Sequence, residues 1–111
     1  MRASVRDQPS TGATRAPLLP NTPTLAEAGG LPGYETNDWF GILLPAGTPQ
    51  AIVMQLHAEM MKVLNSPEIK AQLAAQGAQV VTNTPAEFLS FIKTEIAKWA
   101  DVIKFSGAKL D

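Results

Sequence analysis

Trp39-Phe40-Gly41-Ile42-Leu43-Leu44-Pro45-Ala46-Gly47-Thr48-Pro49 is the stretch on which the fold turns. Its first six residues form a continuous apolar run that Pro45 and Gly47 close. So short a run between breakers predicts a strand over residues 38–44 buried on both faces, with a buried helix as the less favoured alternative. Thr48-Pro49 then supplies an N-cap and a proline at the first helical position, where its fixed φ suits the helix and its missing N–H costs nothing. Ile52, Val53, Leu56, Met60, Val63 and Leu64 follow at helical spacing and predict a helix over 49–64.

The same start signal recurs downstream. Ser66-Pro67, with Glu68 near the positive helix end, Ile69 and Leu73 on one face and Gly77 as the stop, predicts a helix over 67–76. Val80-Val81 marks a brief strand over 78–82. Thr84-Pro85-Ala86-Glu87 combines N-cap, first-turn proline and capping-box glutamate, and Phe88, Ile92, Ile96, Trp99 and Ile103 form a stripe that Gly107 ends. That pattern predicts the longest helix, over 85–105. Upstream, the first 33 residues hold five of the nine prolines and four of the eight glycines, so they read as loop. The exception is a helical turn over 24–28, capped by Thr24 and Glu27 and stopped by Gly29 in the left-handed conformation.

Composition limits the chemistry. The chain has 111 residues, 45% of them apolar, with nine Lys plus Arg against ten Asp plus Glu, which is one domain at most. A net charge of −1 with no basic run argues against nucleic acid and anionic lipid as partners. Without cysteine and with a single histidine, disulfides, thiolate nucleophiles and His-based metal cages are excluded, and no metal or other cofactor is expected. No stretch is long and apolar enough to span a membrane, and Met1-Arg2-Ala3-Ser4-Val5-Arg6-Asp7 has no apolar run behind it, so no signal peptide is expected.

Residues with latent chemistry have plain alternatives. His57 falls at the edge of the helical stripe beside Val53 and Met61, and Glu59 points elsewhere, so it reads as a helix-edge histidine and not a general base. No Gly-x-Ser-x-Gly elbow or phosphate loop occurs. Glu35 and Asp38 read as solvated loop charges more readily than as a paired acid and base. Trp39 and Phe40 suit core packing, with a place beside a ligand cleft as the sharper alternative. An enzyme therefore lacks both a nucleophile and a partnered base.

Taken together, Arg15-Ala16-Pro17-Leu18-Leu19-Pro20-Asn21-Thr22-Pro23-Thr24-Leu25-Ala26-Glu27-Ala28-Gly29, Gly33-Tyr34-Glu35 and residues 39–49 resemble the tripartite tricarboxylate transporter substrate-binding proteins, the Bug or TctC family. The likeness continues through Leu73-Ala74-Ala75-Gln76-Gly77-Ala78, Thr84-Pro85-Ala86-Glu87-Phe88 and Glu95-Ile96-Ala97-Lys98-Trp99 to Gly107-Ala108-Lys109-Leu110-Asp111, covering roughly residues 12–111. The resemblance implies the C-terminal part of a two-lobed α/β periplasmic-binding-protein (Venus-flytrap, type II) fold, helix-rich with one buried and one short strand. It implies a periplasmic binding protein, not an enzyme, that captures small carboxylates and delivers them to membrane transporter subunits.

On that resemblance, residues 1–14 are an irregular start outside the family pattern, 15–36 a loop-rich part of the second lobe, 37–47 a strand crossing between lobes, and 48–111 the helical remainder of the first lobe. The residues able to approach the ligand are Asn37, Asp38, Trp39 and Phe40. Asn37-Asp38 stands where small hydroxyl residues are usual, and an anionic Asp38 would repel a carboxylate unless turned away. The polar start Arg2-Ala3-Ser4-Val5-Arg6-Asp7-Gln8-Pro9-Ser10 replaces an expected apolar strand, which suggests a truncated or frameshifted gene. The alternative function is then an inactive remnant, an α/β domain that self-associates through the apolar strand over 39–44 into a homo-oligomer.

Overall fold

Threonine caps organise the regular structure. In the computed structural model, which describes residues 8–109, Thr84 Oγ1 accepts the Glu87 N–H at 3.2 Å while Glu87 Oε2 accepts the Thr84 N–H at 2.8 Å. This closed capping box opens α4 (Pro85–Ser106), with Pro85 in the first turn and Gly107 at φ 68° ending it. The same box, Thr24 with Glu27 at 3.1 and 2.8 Å, opens the five-residue α1 (Leu25–Gly29). Between them lie α2 (Gln50–Leu64) and α3 (Pro67–Ala75), the latter opened by Ser66, whose Oγ accepts the Ile69 N–H at 3.4 Å.

Two helix ends differ from the sequence expectation. Gly29 remains helical, and Gly30 takes the left-handed position at φ 62°. Placing it there lets both its own N–H and that of Leu31 reach the Ala26 carbonyl, the latter at 3.0 Å, which satisfies the end of so short a helix. At α2, Pro49 and not Thr48 occupies the cap position, with no side-chain cap. Pro49 keeps an extended ψ of 136°, so its carbonyl accepts the first helical N–H groups, from Ile52 at 2.9 Å and Val53 at 3.2 Å.

The larger correction concerns the strands. Neither residues 38–44 nor 78–82 form a strand, and among the described residues the one β-type pairing outside the helices is an isolated parallel bridge between Ser10 and Thr24. A strand exists only through the neighbour that takes its backbone N–H and C=O groups, and among the described residues neither stretch takes part in a β-ladder. Residues 38–44 are also not buried: Phe40 is 97% exposed, Leu43 73% and Ile42 65%.

The chain divides into two units. Within its described residues the first comprises 8–46 and 71–79, the second 47–70 and 80–109. In the second unit the half-buried face of α2 is Val53, His57, Met60, Met61 and Leu64, while Ile52, Leu56 and Val63 are exposed. His57 therefore lies in the covered face, not at its edge. Its Nε2–H donates to the Asn83 carbonyl at 2.9 Å, tying α2 to the residue just before the α4 cap. On α4 the half-buried line runs through Phe88, Ile92, Glu95 and Lys98, with Phe88 stacked on Phe91 at 6.3 Å, and leaves Ile96 and Ile103 exposed. Among the described residues no apolar side chain is fully buried; the buried ones are Thr22 and Thr24.

Candidate functional site

The four residues Asn37, Asp38, Trp39 and Phe40 lie in the first unit, just after a small backbone lattice. Ser10 N–H donates to the Pro23 carbonyl at 3.1 Å, and Leu25 N–H donates to the Ser10 carbonyl at 2.7 Å, forming the parallel bridge. On the next residue the Thr11 carbonyl accepts the Thr36 N–H at 2.8 Å. Residues 10–11 thus sit between the entry to α1 and the chain leading to Asn37. Thr22 and Thr24 are buried at this junction, and the Ser10 hydroxyl is buried with no hydrogen-bond partner.

Gly12 lets Asn37 close onto this lattice. A Cβ at Gly12 would stand 3.1 Å from Asn37 Oδ1 and 3.2 Å from the Thr14 carbonyl, tighter than a side chain accepts without displacement. Asn37 Nδ2 in turn donates to Glu35 Oε1 at 2.7 Å, so Glu35 partners the amide beside it and not Asp38. The Asn37 side chain is held by these contacts. Asp38 is exposed, Trp39 is 43% exposed, and Phe40 stands almost wholly in solvent. The four are neighbours in sequence.

Arg15 is committed elsewhere. Its Nε pairs with Glu27 Oε2 at 3.0 Å and its Nη1 donates to the Pro20 carbonyl at 3.3 Å, bracing the loop against α1. The Thr24 backbone N–H, and then Arg15, hold the Glu27 carboxyl below its ordinary value. With Arg15 so engaged, the polar side chains over residues 35–38 are an amide, a hydroxyl and two carboxylates, and the carboxylates oppose an anion. A depression lined by Ala16, Pro17, Leu18, Ala74, Gly77 and Ala78 is apolar and holds about 90 Å³, well under the roughly 300 Å³ of a small-molecule site. Among the described residues no group of three or more His, Cys, Asp or Glu could hold a metal, and no helix is long and apolar enough to cross a membrane.

Sequence reasoning reached Asn37 but missed Ser10, Thr11 and Gly12 beneath it. Their signal was a run of small residues, which marks close backbone approach but does not say to what.

Comparison with known proteins places these features in a lineage. The model of the tripartite tricarboxylate transporter family receptor matches residues 4–108, so it takes in residues that the resemblance, drawn from Gly12 onward, left aside. Protein BugT of Bordetella pertussis is 38% identical over 96 residues, which is 86% of this chain and 29% of that protein. A UPF0065 protein from the tcbD-tcbE intergenic region of Pseudomonas sp. strain P51 is 37% identical over 93 residues, 84% of this chain and 28% of its own length. Among solved structures, R. palustris Rpa4515 with adipate superposes with a TM-score of 0.76 at 39% identity, over 87% of this chain and 32% of that one. The periplasmic binding protein BugD gives 0.77 at 32% identity, over 89% and 33%. The chain therefore spans about 30% of the length of these two curated relatives.

Proposed function

The chain belongs to the tripartite tricarboxylate transporter receptor family, and from that membership we propose that it serves as part of a periplasmic solute-binding protein that captures a small carboxylate for a membrane transporter. In the assembled protein, residues 15–36 belong to one lobe, 37–47 cross between lobes, and 48–111 complete the other. Asn37, Asp38, Trp39 and Phe40 then line one wall of the cleft.

The division of labour follows from side-chain chemistry. Asn37, held over Gly12, fixes where the chain turns toward the ligand. The backbone N–H groups after it offer neutral donors to a carboxylate, and Trp39 and Phe40 offer apolar surface to the methylenes of a ligand such as the adipate held by the R. palustris protein. Asp38 turns its carboxylate away from the ligand, because two anions in one desolvated site repel. The remaining donors come from the other wall, so the 111-residue polypeptide alone should bind dicarboxylates weakly or not at all.

The observation that carries this reading is the 39% identity and 0.76 TM-score to an adipate-bound protein across 87% of the chain. A chimera tests it: the matching third of the R. palustris protein is replaced by this chain, and adipate is titrated into the folded product by calorimetry. Affinity within about tenfold of the parent supports the reading. A folded chimera that ignores adipate, citrate and aspartate alike removes it.

A further inference from the structure

Space, and not backbone conformation, keeps position 12 a glycine. Gly30, Gly33, Gly47, Gly77 and Gly107 take positive φ and have open room where a side chain would stand. Gly12 is the reverse: it has no positive φ, yet a Cβ there would meet Asn37 Oδ1 at 3.1 Å and the Thr14 carbonyl at 3.2 Å. Its conformation suits alanine and its surroundings do not.

The neighbours of that missing Cβ differ in stiffness. Just beside the contact the Thr36 N–H donates to the Thr11 carbonyl at 2.8 Å, so the backbones on either side are already joined. The Thr14 carbonyl is backbone as well, whereas Asn37 Oδ1 is the end of a rotatable side chain, and it is the atom that would yield to a methyl group.

Charge sets the other end of the same amide. Glu35 Oε1 accepts from Asn37 Nδ2 at 2.7 Å. A carboxylate only accepts, so the amide faces Glu35 in one sense alone, with Nδ2 toward the carboxylate and Oδ1 over Gly12. Nδ2 carries a pair of hydrogens, and the one not given to Glu35 Oε1 is the donor that the exposed Asn37 can offer a ligand.

We infer that Gly12 and Glu35 are positioning residues, which together orient the Asn37 amide so that Nδ2 stands as a fixed donor toward a ligand carboxylate. Both act through Asn37. The ligand half of this inference rests on the capture reading above; the orientation of the amide does not.

The test follows solvent exchange of the Asn37 Nδ2 hydrogens and of the Thr36 N–H by NMR in the 111-residue chain. Gly12→Ala should quicken exchange of the bonded Nδ2 hydrogen about tenfold and leave Thr36 protected, because the methyl displaces the amide and not the backbone bond. Glu35→Ala removes the acceptor without crowding Gly12 and should have the same effect, which decides the matter should Gly12→Ala fail to fold. In the adipate-binding chimera Gly12→Ala should lower affinity about fivefold, and less than about twofold once Asn37→Ala is present, the non-additivity of residues that act through one group. Unchanged Asn37 exchange in either folded variant overturns the inference. Loss of Thr36 protection alongside it in Gly12→Ala, or an equal loss of affinity in the two backgrounds, overturns it as well. A chimera that takes up no adipate removes the capture reading and the ligand half with it, while the exchange rates still decide the seat of Asn37.

Discussion

Phe40→Ala separates what this chain does alone from what it does in an assembly. The ring is 97% exposed, so its removal deletes almost no contact within the chain, and the stability of the isolated polypeptide should move by no more than about 0.5 kcal/mol. Were the rest of a family chain to cover the same ring, burying a Phe side chain would be worth about 1.5–3 kcal/mol. The association constant with an upstream family polypeptide should then fall between about tenfold and a few hundredfold. Thermal unfolding followed by circular dichroism reads the first quantity, and calorimetric titration of the upstream polypeptide reads the second. Phe88→Ala, on the half-buried face of α4 against Phe91, should show the opposite pattern and destabilise the chain itself by about 1–3 kcal/mol. Loss of more than 1 kcal/mol from the isolated chain on Phe40→Ala, or an unchanged complex, would refute the reasoning.

Three further outcomes follow from local geometry. Thr84→Ala deletes the acceptor for the Glu87 N–H and should cost α4 about 1 kcal/mol, read as faster amide exchange at Glu87 and Phe88, with Thr84→Ser close to the parent. His57→Leu leaves the Asn83 carbonyl without its donor and should cost about 1 kcal/mol in thermal unfolding, and His57→Gln less, because it can still donate. Glu27 has its folded pKa lowered by the Thr24 N–H and Arg15, so its stabilising effect is present above its unfolded value of 4.5 and is lost as pH falls through the lowered folded value. A carboxyl NMR titration should find its midpoint below 4.5, and Arg15→Ala should move that midpoint upward; a midpoint at 4.5 in the parent would contradict the ion pair.

Helices α2, α3 and α4 were legible in the sequence to within a residue at most ends, because their determinants are local. A hydroxyl before proline, a glutamate three residues on and a glycine past the end act through contacts within one or two turns. Where the local rule admits two solutions, the reading slipped by one position, as at Gly29 and Gly30 or Thr48 and Pro49. Residues 38–44 were read as a buried strand from their composition, yet strandedness and burial are both properties of what lies alongside. His57 was placed at the edge because the apolar stripe was drawn through Ile52, Val53, Leu56, Met60, Val63 and Leu64 together, whereas packing covers only its side through Val53, Met60 and Leu64. At the candidate site Asn37 could be named from its position before the aromatic pair, but its seat over Gly12 joins residues far apart in the chain, which no spacing rule reports.

The most direct measurement titrates adipate into an equimolar mixture of this chain and the upstream portion of the R. palustris protein, with each polypeptide alone as the reference. One ligand bound per complex, and none by either polypeptide separately, is the result expected of a chain that supplies one wall of a carboxylate cleft. A complex that forms and takes up no adipate, or adipate bound by the 111-residue chain alone, would contradict it.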